Sequence, residues 1–129
     1  MREIVIDITP TPAPRMTQQD RWAKRPAVVR YIGFQKHLVM LCNIKGLTAL
    51  PNEMGWTFEM PIPKSWSKKK KAEMIGRPHR QKPDLDNLIK GFQDSMTYGR
   101  EDDDSHIDSY LPTRKIWAEI GRIIIYVND

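Results

Sequence analysis

The run Arg122-Ile-Ile-Ile-Tyr-Val127 is apolar at nearly every position, and a strand of that kind calls for cover on both faces. It needs neighbours beside it and a layer above it. The other end of the chain offers a neighbour: Ile4, Ile6 and Ile8 alternate with Glu3, Val5 and Asp7, until Pro10, Pro12 and Pro14 stop the strand. Between the two ends the period changes. Tyr31 to Lys45 carries Phe34, Leu38, Leu41 and Cys42 at helical spacing and closes at Gly46, which predicts an amphipathic helix. The segment before it, Arg15 to Arg30, is basic, contains Trp22 and is broken by Pro26, so it reads as a loop or arm. Trp56, Phe58 and Met60 alternate with Thr57 and Glu59, a second strand ending at Pro61 and Pro63. Ser65 is placed to cap a short lysine-rich helix from Trp66 to Ile75, with Gly76 past its end. Leu85, Leu88, Ile89, Phe92 and Met96 mark one face of a further helix that stops near Tyr98-Gly99. Ile107, Ser109 and Leu111 then begin a strand. Strands at both ends with helices between them predict an α/β or α+β fold built on a small mixed sheet.

At 129 residues the chain can bury roughly two-thirds of its unfolded surface in one core, whereas two separate cores would each be marginal, so a single domain spanning 1–129 is expected. Trp56, Phe58, Phe92 and Trp117 are assigned to that core. The single cysteine, Cys42, excludes a disulfide framework and suits a reducing compartment. No run approaches the ~20 apolar residues of a membrane span, and Glu3 and Asp7 stand where a signal peptide would be basic. A cytoplasmic protein with no membrane partner is expected.

The net charge of +5 conceals a strong segregation. Lys64 to Lys82 holds eight basic side chains and one acidic, a net +7, and Asp84 to Asp108 holds eight acidic and two basic, a net −6. Solubility alone is better served by mixed signs. The pattern suggests a polyanion held beside a cluster of carboxylates.

In Lys82-Pro-Asp84-Leu-Asp86-Asn87-Leu-Ile-Lys90 the spacing can be argued geometrically. Two aspartates inside one helix would point about 200° apart at this spacing and could not share a ligand. Pro83 disfavours helix before it, so the chain is expected to reach Asp84 extended and enter the helix at about Leu85. Both carboxylates can then face one side, with Lys90 four residues past Asp86 on the same face. A third carboxylate from Asp102, Asp103 or Asp104 would complete an oxygen-rich site suited to Mg²⁺, the ion that phosphodiester cleavage commonly employs. The competing account is simple: Asp84 caps the helix, Asp86 complements its dipole, and both form ordinary surface contacts.

The string Lys82 to Lys90, followed by Asp94 and by Asp103-Asp104-Ser-His-Ile107, resembles the signature of RusA-type Holliday junction resolvases, a family common in phages and prophages. Pro63-Lys-Ser-Trp-Ser-Lys-Lys-Lys-Lys71 and Gly76-Arg-Pro-His79 resemble its phage branch, so the clear match spans Pro63 to Ile107. The resemblance implies a RusA-like fold and a homodimeric, Mg²⁺-dependent endonuclease that nicks two opposed strands of a four-way DNA junction, with Mn²⁺ expected to substitute. It also implies catalytic and metal-binding roles for Asp84, Asp86 and Asp104, with Asp103 an alternative third ligand, and an essential role for Lys90.

Junction DNA would need positive charge around such a site. Lys68, Lys69, Lys70, Lys71, Arg77, Arg80 and Lys82 are candidates, with Arg15, Arg21, Lys24 and Arg25 around Trp22 as a second basic and aromatic patch. His79 lies in the basic stretch where it could meet phosphate. Two alternatives keep the DNA and change the rest: a non-catalytic phage nucleic-acid-binding protein, or a nuclease for other branched DNA such as flaps or forks.

Overall fold

The computed structural model of the chain describes residues 1–14, 25–98 and 104–128, with the side chain of residue 104 outside that description. Its strands are β1 (Arg2–Ile6), β2 (Glu53–Pro61), β3 (Ser109–Tyr110), β4 (Arg114–Ala118) and β5 (Arg122–Val127), and its helices are α1 (Pro26–Ile44), α2 (Lys68–Met74) and α3 (Leu85–Thr97). The strands form one mixed sheet, in keeping with the expected α+β class. β5 lies between β1 and β2 and is antiparallel to both, while the far edge of β2 pairs in parallel with β3 and then with β4.

One sheet face carries the core. Ile4 and Ile6 lie opposite Ile125 and Ile123, which in turn lie opposite Trp56 and Phe58. Tyr31, Phe34, Leu38 and Cys42 from α1, and Leu88, Phe92 and Met96 from α3, close over this row. The Trp56 indole meets the Phe92 ring edge-on at 5.4 Å, joining α3 to the longest strand. Burial pushes the Cys42 thiol up to about 12, leaving it a small apolar side chain rather than a reactive one.

The opposite face corrects two expectations. Thr57 and Glu59, which strict alternation would leave in solvent, are buried, because Thr57 Oγ1 bonds Tyr126 OH at 2.8 Å and Arg122 donates to Glu59 Oε1 at 2.8 Å. Ile124 and Tyr126, conversely, are only half-buried, so β5 is fully covered on one face and partly on the other. Its apolar run reflects an interior position between two strands more than a second layer.

Helix boundaries move as well. Pro26 does not break a loop but stands at the start of α1, where its missing N–H costs nothing, so residues 26–30 are helical and the remainder of the expected arm, 15–24, lies outside the described residues. Val29, Ile32 and Met40 of α1 are exposed among Arg30, Lys36, His37 and Asn43, so its apolar residues are less cleanly segregated than an amphipathic helix predicts. α2 is capped by Ser67, whose hydroxyl accepts from Lys70 N–H at 3.2 Å, and not by Ser65. Gly76, at φ +82°, turns the chain past the end of α2. The strand expected from Ile107 is reduced to Ser109–Tyr110, and β4 forms where the sequence pattern announces no strand.

Candidate active site

β4 is the strand on which the site is assembled. Its inner edge pairs with β2, and its outer edge is occupied by residues 76–79: Gly76 N–H donates to Trp117 O at 2.8 Å, Trp117 N–H to Arg77 O at 2.9 Å and His79 N–H to Lys115 O at 3.0 Å. The basic segment is thereby laid along the sheet edge, leading directly into the aspartate motif.

The Lys82–Pro83 peptide is cis, and the chain then reaches Asp84 with φ −66° and ψ 147°, an extended conformation, before α3 begins at Leu85. This is the junction that the proline and the helical turn angle predict. Asp84 occupies the N-cap position, yet its side chain makes no capping hydrogen bond; only its carbonyl takes part, accepting from Leu88 N–H at 3.2 Å. Asp86 lies in the first turn, and Asp84, Asp86 and Lys90 are all exposed. None of the three side chains has a hydrogen-bond or ion-pair partner among the described residues, so the i to i+4 pair between Asp86 and Lys90 is not formed.

Three residues hold this junction. Lys115 Nζ donates to Gln81 O at 2.5 Å and Pro83 O at 2.6 Å. Ala13 N–H donates to Asn87 O at 3.3 Å, and Tyr31 OH donates to Gly91 O at 3.0 Å. Gly91 also lets the N-terminal segment come close: a Cβ there would lie 2.9 Å from Thr11 O and 3.1 Å from Ala13 N. Pro12, Ala13, Lys82, Pro83, Asp84 and Asn87 line a cleft of about 480 Å³ at the start of α3.

The acidic loop is described only in its last part. Asp104 opens a 3₁₀ turn, Asp104–His106, that packs against α3, and Gln93 Nε2 donates to Tyr110 OH at 2.8 Å just beyond it. Asp102 and Asp103 lie outside the described residues, as does the Asp104 side chain, so a third carboxylate is not placed. Among the described residues no group of three or more His, Cys, Asp or Glu side chains converges.

Of the basic candidates, Lys68, Lys69 and Lys70 are exposed on α2 and Lys71 is half-buried. The helix is fastened to the sheet edge by a run of rings, with Lys70 Nζ 4.1 Å above Trp66 and Trp66 packed 4.7 Å from Trp117 of β4. Arg77, Arg80 and Lys82 are exposed, the first two flanking a cleft of about 550 Å³ whose wall includes Trp117. Arg25 immediately precedes α1; Arg15, Arg21 and Lys24, with Trp22, lie outside the described residues.

His79 is corrected from phosphate contact to interior packing. It is 5% exposed, its ring lies 4.2 Å from Trp117, and its Nδ1 has no hydrogen-bond partner among the described residues. Burial, reinforced by the nearby Lys115 charge, lowers its pKa and favours the neutral ring. Lys115 is the residue that sequence reasoning missed. Nothing near it in the chain marks it, because its significance comes from a strand pairing with residues over fifty positions earlier.

A family model described as Endodeoxyribonuclease RusA matches residues 6–128, from the end of β1 through β5. The chain belongs to the RusA endodeoxyribonuclease family. No curated protein matches it. The RusA match therefore takes in β2 to β5 and the last residue of β1, not only the Pro63 to Ile107 stretch in which the resemblance is visible by eye. RusA-type nucleases are generally divalent-metal dependent, and the donors here fit such an ion. Asp84 and Asp86 offer exposed oxygen ligands that no cation among the described residues occupies, the kind of donor a hard divalent ion prefers. No helix among the described residues is long and apolar enough to cross a membrane.

Proposed function

We propose that this RusA-family protein is a Mg²⁺-dependent, structure-selective endonuclease that resolves four-way DNA junctions by paired nicks, acting as a homodimer in the cytoplasm of a phage-bearing or prophage-bearing bacterium. The observation that carries the reading is the free Asp84 carboxylate. It stands at the N-cap, where an aspartate side chain normally accepts from the free N–H groups of the first turn, and it makes no such bond. The competing account, in which the aspartates only cap α3, lacks the bond it requires. Ser67, which does cap α2, shows what that bond looks like in this chain.

Asp84 and Asp86 would hold the ion, with Asp104 or Asp103 as a third ligand. What Mg²⁺ supplies when bound is Lewis acidity toward the phosphodiester and a more acidic water at neutral pH. Lys90 would present its ammonium to a phosphate oxygen or to the departing oxygen, whose negative charge grows as the P–O ester bond breaks. Lys68 to Lys71, Arg77, Arg80 and Lys82 would hold the flanking backbone, and Arg15, Arg21, Lys24 and Arg25 a second stretch of it. Symmetric incision needs two such centres, which a two-fold mate supplies.

A labelled synthetic junction with Mg²⁺ tests the proposal. Wild type is expected to give paired nicks and Asp86→Asn none, a loss of at least a thousandfold; no cutting of any branched substrate in Mg²⁺ or Mn²⁺ would sink it. Asp84→Asn is expected to bind the junction as well as wild type or better, since it removes a carboxylate that repels phosphate. Binding more than tenfold weaker in a gel-shift assay would contradict that. Preferential cutting of flaps or forks would redirect the substrate without altering the site.

A further inference from the structure

Lys115 is in register with Phe58, so its side chain leaves β4 on the sheet face that carries α3. There its ammonium spends two of its three donors on Gln81 O and Pro83 O. These are not incidental acceptors. Pro83 O belongs to the peptide group that delivers Asp84 into the helix start, and among the described residues the backbone of Arg80 to Pro83 makes no other hydrogen bond. The turn has no internal ladder, and Asp84 does not anchor itself through a cap. Hydrogen bonds from an ionised donor are roughly twice as strong as neutral ones, so one side chain suffices to fix the segment.

We propose that Lys115 is a positioning residue for the Asp84 and Asp86 carboxylates: by clamping Gln81 and Pro83 to the edge of the sheet it sets the angle at which both project at the start of α3. The inference rests on the reading that these two aspartates hold a divalent ion.

Lys115→Met keeps the aliphatic stem and removes the donors, and Lys115→Arg restores donors. Calorimetric titration of Mn²⁺ into the metal-free protein is expected to show Lys115→Met binding about tenfold more weakly than wild type, with Lys115→Arg within about threefold. A merely structural lysine would not produce that order among variants with the same circular dichroism. In the same metal-free proteins, hydrogen exchange of the amides from Asp84 to Leu88 is expected to accelerate in Lys115→Met and to recover in Lys115→Arg. Should Lys115→Met fail to fold, Lys115→Gln, with a shorter amide donor, is expected to fall between wild type and loss. Wild-type Mn²⁺ affinity in the folded Met or Gln variant overturns the proposal. If wild type itself binds no Mn²⁺, the metal reading has failed; the exchange comparison then decides whether Lys115 clamps the turn, and unchanged exchange rejects the clamp as well.

Discussion

The imidazole of His79 is enclosed against the Trp117 indole, and burial first, then the Lys115 charge, hold its pKa below the ordinary 6.5. As pH falls below that value the unfolded chain takes up the proton before the folded one does, so stability is complete above about pH 6.5 and declines below it. Urea unfolding at pH 7.5 and pH 5.5 should therefore show a lower midpoint at the acid value. In His79→Phe, which keeps a ring against Trp117, that difference should shrink. Phenylalanine also needs no partner for Nδ1, which has none among the described residues, so the variant should be no less stable at pH 7.5. The aspartate junction and this histidine show where residue-level reasoning succeeds. The extended approach to Asp84 and the helix start at Leu85 are legible because a proline rule acts within a few residues. His79 is not, since its burial depends on Trp117, thirty-eight positions away on a strand that local pattern does not reveal.

Two glycines, each within a helix, separate propensity from packing at the scale of elements. Beyond its chain neighbours and its own helix backbone, Gly33 of α1 has no described atom within 4 Å of the point a Cβ would occupy, so Gly33→Ala should stabilise the protein by ~0.5–1 kcal/mol. Gly91 of α3 would drive the same carbon into the backbone of Thr11 and Ala13, and overpacking of ~1–3 kcal/mol outweighs the propensity gain. Gly91→Ala should therefore lower stability, by about 1 kcal/mol in urea unfolding, while Gly33→Ala raises it. Helix existence is legible throughout, as periodicity requires only the element itself. Helix ends are less so: Pro26 reads equally as a breaker or as a first-turn residue, and Ser65 and Ser67 compete for one cap until the hydrogen bond to Lys70 decides. β4 escapes because Arg114 and Lys115 mask the apolar half of a five-residue strand.

Across the whole molecule, the segregation of charge along the sequence becomes a segregation in space. The lysine helix, the arginine-bearing edge of β4 and the aspartates at the start of α3 follow one another along a single border of the sheet. For junction DNA bound there, each phosphate-contacting lysine replaced by alanine should reduce the slope of log K against log salt by about one, measured by fluorescence anisotropy between roughly 50 and 200 mM salt. Lys68, Lys69 and Lys70 are the first to try, and sequence preference should be unaffected. The sheet order itself is not legible, because parallel pairing of β2 with β4 joins parts of the chain separated by two helices. That pairing also imposes a schedule. Asp84 and Asp86 are synthesised some thirty residues before Lys115 and the strand that bears it, an interval of roughly 2–6 s at typical elongation rates of ~5–20 residues per second. A chain halted at residue 113 would possess both carboxylates and the lysine helix without the lysine proposed to align them, so a cutting centre of this design would be completed only after β4 has been made.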